Sequence, residues 1–406
     1  MLNVLAPEEA KELIRKEFSG KVKTEQVPLD KAFGRVLAED ICAREYVPDF
    51  DRSTVDGYAV RASDTFGCSE SLPALLTRAG EVLMGQKPSV SVNAGSCAAI
   101  PTGGALPEGA DSVVMVEYTE DYGDGTIGIL KSAVPGNNLI FRGDDVYPGK
   151  QVIAAGKRLG AGDIGALAAM GITEVSVACR LKAAVISTGD ELVTADKTPG
   201  PGQIRDVNSN MLSAILEGAG VEPVCCGIIK DKDELLRDCL KKAAEECDIV
   251  LISGGSSVGK KDAAIRVIAS EGEVLFHGIA MKPGKPTILG KVNGKPVFGL
   301  PGHPAAAYFT ARIFVREALA ALSGELLDFR PATAVLDENI SANHGRAEYV
   351  SVQLYEKEGI LTAHPVRSKS GLICSLASAD GWFCIDKDCE GLPEGSIINV
   401  YSEKRM

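Results

Sequence analysis

Residues 249–262 read Ile-Val-Leu-Ile-Ser-Gly-Gly-Ser-Ser-Val-Gly-Lys-Lys-Asp, and the reading of this stretch decides the fold. The apolar run Ile249–Ile252 stops abruptly at Ser253-Gly254-Gly255-Ser256-Ser257 and Gly259. A buried parallel strand that ends in an anion-binding turn has this form. Glycine permits positive φ and close backbone approach, so consecutive N–H groups and the hydroxyls of Ser253, Ser256 and Ser257 can point at one oxyanion. If Asp262 opens the next helix, the helix N-terminus adds partial positive charge. An ordinary Gly/Ser turn between strand and helix reads the same way in this stretch alone, so the flanking chain has to decide.

Upstream the pattern is regular. Ala183–Ser187 and Val221–Ile229 are apolar and strand-like. Between them Asn208–Leu216 reads as a helix with Asn208 or Ser209 at its cap and Gly218 past its end. Asp233–Glu246 is a further helix, with Leu235, Leu236, Cys239, Leu240, Ala243 and Cys247 at helical intervals. Alternating strands and helices imply an α/β fold, a central parallel sheet with helices on both faces, which takes ligands at the carboxyl ends of its strands.

Those ends carry the polar residues. They are Ser187-Thr188-Gly189-Asp190-Glu191, Lys230-Asp231, the Ser-Gly loop, Met281-Lys282-Pro283-Gly284-Lys285-Pro286 and Leu300-Pro301-Gly302-His303-Pro304. Pro304 opens a long helix to about Ser323. Each acid taken alone reads as a helix cap. Together, Glu191, Asp231 and Asp262 beside Lys282 and Lys285 favour phosphoryl or phosphoanhydride chemistry with Mg²⁺, a hard cation that takes carboxylate and phosphate oxygens.

Toward the N-terminus, residues 7–17 read as a helix with Pro7 in its first turn and Ala10, Leu13 and Ile14 on one stripe, so it packs on something. From Val27 to about Gly149 short strand-like runs such as Val113–Val116 alternate with Gly, Pro, Asn and Asp, a β-rich segment. Its polar turns are Asp51–Val60, Ile100–Gly104 and Arg142-Gly143-Asp144-Asp145. Residues 161–171 read as a helix capped by Asp163 and ended by Gly171. Beyond Pro331 the texture is that of a small β barrel or sandwich, with a hairpin turn at Glu358-Gly359.

Length and composition agree with a multidomain globular protein. The chain has 406 residues, 45% hydrophobic and 24% charged, enough for two to four domains. A formal charge of −12 disfavours nucleic acid as a partner. A few lysines beside a small anionic ligand still set the local potential, because carboxylates much farther away than a Debye length of about 8 Å are largely screened. No apolar run approaches the ~20 residues of a spanning helix, and the N-terminus lacks a signal pattern. The eleven cysteines contain no C-x-x-C pair and the four histidines are far apart, which argues a reducing cytoplasm and no zinc site.

Five strings resemble one family in the same order across nearly the whole chain. They are Asp56-Gly57-Tyr58-Ala59, Thr188-Gly189-Asp190-Glu191-Leu192, Ser253-Gly254-Gly255-Ser256-Ser257-Val258-Gly259, Lys282-Pro283-Gly284-Lys285-Pro286 and Gly299-Leu300-Pro301-Gly302. Together they resemble the molybdopterin molybdenumtransferases, the family of bacterial MoeA and the C-terminal domain of gephyrin. The resemblance implies four parts. Residues 1–26 and 149–177 form a linking and dimerisation subdomain, 27–148 a β-rich arm, 178–326 a molybdopterin-binding α/β domain, and 327–406 a C-terminal β barrel. It also implies an elongated cytoplasmic homodimer whose sites lie between one subunit's sheet domain and the other's arm.

The implied reaction is Mg²⁺-dependent cleavage of adenylylated molybdopterin coupled to transfer of molybdenum from molybdate onto the dithiolene. Asp56, Thr102, Asp145, Glu191, Asp231, Pro301 and Pro304 match functional family positions. Asp144 competes with Asp145, and the pattern Arg142-Gly143-x-Asp145 favours the latter. Glu191 and Asp231 would position the metal and the attacking water. Ser253, Gly254, Gly255, Ser256, Ser257 and Gly259 would hold the pterin phosphate near Asp262. Lys282, Lys285, Ser256 and Arg346 would attract molybdate, although Arg346 reads equally as a surface salt bridge. His303 stands where the family often has Asn or Tyr, and the flanking prolines fix that turn whatever the side chain. Small-molecule pterin and molybdate are the expected partners, with the adenylyltransferase and downstream cofactor-handling proteins beside them. The rival readings are a molybdopterin adenylyltransferase, which resembles residues 178–326 alone, and a non-catalytic molybdopterin-binding scaffold.

Overall fold

The computed structural model describes residues 4–254, 263–366 and 371–402. The chain divides into two units, one of Met1–Ala38, Gly156–Gly160 and Val175–Met406, the other of Glu39–Ala155 and Ala161–Glu174.

The first unit is built on a six-stranded sheet. Lys182–Thr188 lies between Glu222–Ile229 and Ile249–Ser253, parallel to both, and Lys295–Leu300 continues the parallel set beside Ile249–Ser253. The last two strands, Ile288–Val292 and Glu273–His277, are antiparallel. The sheet is therefore mixed, with a parallel centre and an antiparallel edge. The turn Lys295 ↔ Val292 is short enough for a hairpin, so no crossover helix is available to make that pair parallel.

Alternation along the strands sorts the two cores. Ala183, Val185, Ile249 and Leu251 pack with Leu212, Ile215 and Leu216 of the helix Asn208–Gly218 and with Phe314 and Ala318. Ala184, Ile186, Val250 and Ile252 face the other way, onto Leu236, Leu240 and Ala243 of Asp233–Glu246 and Val267 of Ala263–Glu271. A fully buried leucine such as Leu240 or Leu251 contributes roughly 1.5–3 kcal/mol, so both helical layers are firmly held. The N-terminal helix Pro7–Phe18 joins the first core through Ala10, Ile14 and Phe18, and Arg15 reaches Glu317 at 2.6 Å.

Several local expectations are corrected. Asn208 and Ser209 are not the cap of their helix; Asp206 Oδ1 accepts the Ser209 N–H at 3.1 Å, and the Asn208 side chain is directed elsewhere. Asp163 lies inside the first turn of Ala161–Ala169. The helix from Pro304 runs α over Pro304–Thr310, widens to a π turn at Ala311–Val315 and resumes α over Arg316–Ser323, ending at Gly324 in the left-handed conformation.

Near the C-terminus five strands close on themselves. Ala347–Lys357, Ile360–Pro365, Ala332–Leu336, Ile397–Ser402 and Gly381–Ile385 pair in that cyclic order. Lys357 pairs with Ile360 across Glu358 and Gly359, both at positive φ (55° and 77°), the two-residue hairpin turn read from the sequence. In the second unit a six-stranded sheet runs in the order Ser112–Met115, Gly57–Val60, Ser96–Ile100, Ala74–Glu81, Thr126–Ile129 and Thr119–Asp121. Among the described residues no helix is long and apolar enough to cross a membrane.

Candidate functional site

The parallel register brings Thr188, Ile229, Ser253 and Leu300 to one edge of the first unit's sheet. Asp231, two residues past Ile229, accepts the Thr188 hydroxyl through Oδ1 at 2.6 Å, which ties two neighbouring strand ends together. Oδ2 has no protein partner among the described residues. Glu191 sits on the turn after Thr188, and a Cβ on Gly189 would stand 2.9 Å from each of its carboxylate oxygens. The missing side chain at position 189 is what lets that carboxylate fold back over the strand end. Glu191 and Asp231 are both exposed, as ligands for a hard cation need to be.

The glycine after Ser253 is demanded by geometry. Gly254 has φ +103°, and a Cβ there would lie 2.1 Å from the Thr188 carbonyl oxygen, an overlap with backbone that no rotamer relieves. Ser253 is buried, and its Oγ accepts from Asn208 Nδ2 at 2.8 Å; the same amide donates to the Gly302 carbonyl at 2.9 Å. Gly255, Ser256, Ser257, Gly259 and Asp262 lie outside the described residues. No group of three His, Cys, Asp or Glu side chains placed to hold a metal occurs among the described residues. Glu191 and Asp231, the two metal ligands expected from the sequence, offer only oxygen donors, a set that would suit Mg²⁺.

A cleft of about 710 Å³ opens beside this edge, lined among others by Lys282, Lys285, Pro301, His303, Arg346 and Glu348. Met281–Lys282 runs parallel to Ala347–Glu348, and Lys282 Nζ donates to Glu348 Oε1 at 2.8 Å. One of the three candidate anion-binding cations is therefore largely neutralised. Lys285, half-buried, and Arg346, exposed, have no ion-pair partner among the described residues, so the salt bridge considered for Arg346 is not seen there. Tyr349 lines the same cleft, and burial holds its phenol protonated, with a pKa well above the usual tyrosine range. Pro301 is buried in the turn and Pro304 is the first residue of the helix that follows.

The second unit gathers its own polar residues. Gly57 pairs with Ile100 across antiparallel strands, so the residue before one strand meets the residues after the other. Asp56 Oδ1 accepts the Thr102 backbone N–H at 2.7 Å. Asp144 Oδ2 accepts the Phe141 N–H at 2.7 Å and so closes its own turn, whereas the exposed Asp145 carboxylate has no hydrogen bond among the described residues. A hollow of about 480 Å³ beside Asp56 is walled by Tyr58, Leu83, Met84, Pro101 and Val116.

Comparison with known proteins covers this chain nearly end to end. Residues 5–171 match the MoeA N-terminal region (domain I and II), 184–321 a probable molybdopterin binding domain, and 333–402 the MoeA C-terminal region (domain IV). The chain belongs to the molybdopterin molybdenumtransferase (MoeA) family. The enzyme of that name from Haemophilus influenzae is 34% identical over 401 residues, 98% of each chain. That from Bacillus subtilis is 32% identical over 408 residues, 98% of this chain and 95% of the other. A crystal structure of the molybdopterin biosynthesis MoeA protein from Pyrococcus horikoshii superposes with a TM-score of 0.86 at 34% identity, covering 98% of this chain and all of the other. Membership makes the chain an enzyme of the transferase class. Two residues of this MoeA-family site, Asn208 and Glu348, carry no motif. Asn208 resembles a helix cap in sequence, and Glu348 lies inside a strand-like run, so neither announces its contact.

Proposed function

We propose that this protein inserts molybdenum into molybdopterin by cleaving the phosphoanhydride of adenylylated molybdopterin and transferring molybdenum from molybdate onto the dithiolene, the last step in forming the molybdenum cofactor. The observation that carries it is the Thr188–Asp231 hydrogen bond beside Glu191 at the sheet edge, in a chain that matches this family over nearly its whole length. Asp231 is held by Thr188 through one carboxylate oxygen, which leaves the other to accept a proton from the water that attacks the phosphoanhydride. Glu191, folded over the adjoining strand end, supplies the second carboxylate. Mg²⁺ held by Glu191 and Asp231 would supply charge neutralisation at the phosphoryl oxygens. The water oxygen bonds to phosphorus, the anhydride P–O bond breaks, and AMP leaves.

Lys285 and Arg346, which have no carboxylate partner among the described residues, draw molybdate into the neighbouring cleft, and Lys282 contributes after leaving Glu348. Ser253 and Gly254 begin the loop that holds the pterin phosphate. Asp56, Thr102 and Asp145 serve the site of a second copy, so the active species is a homodimer. The thiolates that ligate molybdenum belong to the pterin, which needs no patterned cysteine in the protein.

Single-turnover release of AMP from adenylylated molybdopterin, with Mg²⁺ and with or without molybdate, tests the reading. Release that requires molybdate and coincides with active cofactor supports it. Formation of the adenylate from ATP and pterin would assign the adenylyltransferase activity, and tight binding without cleavage would assign a scaffold. Mixing inactive Asp56→Asn and Asp231→Asn proteins tests the dimer: activity returns if each site draws on two chains.

A further inference from the structure

Asn208 is 6% exposed at the start of a helix under the sheet edge, a costly place for an amide. Both of its visible contacts are donations from Nδ2, to Ser253 Oγ at 2.8 Å and to the Gly302 carbonyl at 2.9 Å. Among the described residues its Oδ1 is buried with no hydrogen-bond partner, and so is Ser187 Oγ, next in sequence to the Thr188 strand end. A buried acceptor left unmatched costs about 1–3 kcal/mol, so an amide retained there is retained for its donors. The orientation is unambiguous, because the flipped amide would set Oδ1 against the Gly302 carbonyl oxygen.

The two acceptors belong to different turns of the site. Ser253 ends a central strand and begins the Ser-Gly loop. Gly302 lies in the Leu300–Pro304 turn, which leads into the helix from Pro304. The turns are close enough for a coupling to matter, since a Cβ on Gly302 would lie 3.8 Å from the Gly254 Cα. By accepting from Asn208, the Ser253 hydroxyl keeps its own proton available for donation. By accepting at its carbonyl, Gly302 fixes the plane of its peptide and with it the direction of the His303 N–H, which points the opposite way in a trans peptide.

We propose that Asn208 is a positioning residue that clamps the Ser253–Gly254 turn to the Gly302 turn, so that the two present their donors to the bound phosphate in one fixed arrangement. The phosphate-binding part of this proposal rests on the function proposed above, whereas the clamp itself does not. The clamp explains why an amide is buried at this sheet edge with both of its side-chain hydrogen bonds made as a donor. It also accounts for the choice of asparagine over aspartate, which lacks both donors.

The test compares the full-length protein with Asn208→Asp, Asn208→Ala, Ser253→Ala and the Asn208→Ala/Ser253→Ala double variant. Amide hydrogen exchange at Gly254 and at residues 302–303 is read first, without ligand, beside the thermal melt. The clamp predicts faster exchange confined to these two turns in both Asn208 variants. Unchanged exchange, or exchange raised uniformly with a lowered melting temperature, overturns it. Binding of adenylylated molybdopterin is read next. Loss of one or two such hydrogen bonds predicts weaker binding by roughly tenfold. The Asn208→Ala and Ser253→Ala effects should also be less than additive, because one acts through the other. Full additivity in folded variants overturns the positioning role. If the wild type binds no pterin while the exchange result holds, the clamp stands and the proposed function fails.

Discussion

The two sheets bring their polar residues together by opposite means. In the first unit parallel strands send every carboxyl end to one edge, so Thr188, Asp231, Ser253 and the Leu300 turn meet although they are spread over more than a hundred residues. In the second unit antiparallel pairing sets the beginning of Gly57–Val60 against the end of Ser96–Ile100, and Asp56 meets Thr102. The first rule can be applied to a sequence without knowing strand order, because any strand end in a parallel sheet qualifies. The second needs the pairing itself. The contacts differ too: Asp231 is held by a side-chain hydroxyl, Asp56 by a backbone amide.

The largest effects should come from the glycines that allow each arrangement. Gly254→Ala places a methyl group 2.1 Å from the Thr188 carbonyl oxygen at φ +103°, and Gly57→Ala places one 1.9 Å from the Val114 carbonyl oxygen. Each is expected to destabilise its own unit by about 2–4 kcal/mol in denaturant titrations. AMP release should all but vanish in Gly254→Ala; a variant with wild-type stability and turnover would show that the edge geometry is misread.

Next in size are the carboxylates. Asp231→Asn keeps the shape and the Thr188 contact but loses the charge, and a drop of roughly 100-fold in single-turnover AMP release is expected. An Asp231→Asn protein that hydrolyses the adenylate at the wild-type rate would remove this residue from the chemistry.

The contrast between the two donors gives a sharper and smaller test. Thr188→Val deletes the hydroxyl that holds Asp231 and should slow AMP release about fivefold, the worth of one hydrogen bond near 1 kcal/mol. Thr102→Ala leaves the backbone donor to Asp56 intact. Its loss of activity therefore measures any direct work of the Thr102 hydroxyl, separate from holding Asp56. Equal effects of deleting Asp56 and Thr102 side chains would show that the hydroxyl itself reaches substrate.

The smallest effect belongs to the cleft. Glu348→Gln removes the charge that occupies Lys282 and should tighten molybdate binding by about two- to threefold at low salt. Added salt should erase the gain, since Lys282 is half-exposed and its field is screened. Weaker binding in Glu348→Gln would mean that the carboxylate orients Lys282 for the anion and does not compete for it.

Much of the fold was legible because it rests on local pattern. Apolar runs bounded by Gly and Ser gave the central strands, the helical spacing of Leu236, Leu240 and Ala243 gave Asp233–Glu246, and Glu358-Gly359 gave the barrel hairpin. The antiparallel edge of the sheet was missed because a short apolar strand looks alike in either direction. The π turn at Ala311–Val315 was missed because its residues continue the same apolar helical pattern.

The sequence alone determined which residue types sit at the strand ends, since a polar turn after a buried strand is a local event. It also established the family, because five motifs in one order are hard to meet by chance. Only the tertiary structure decided which contacts those residues make. It turned Asn208 from a cap into a bridge, set Lys282 on Glu348, and left Lys285 and Arg346 without such a carboxylate among the described residues. Each of these is a contact between segments far apart in the chain, and such contacts are fixed by which strands lie side by side, which no local spacing encodes.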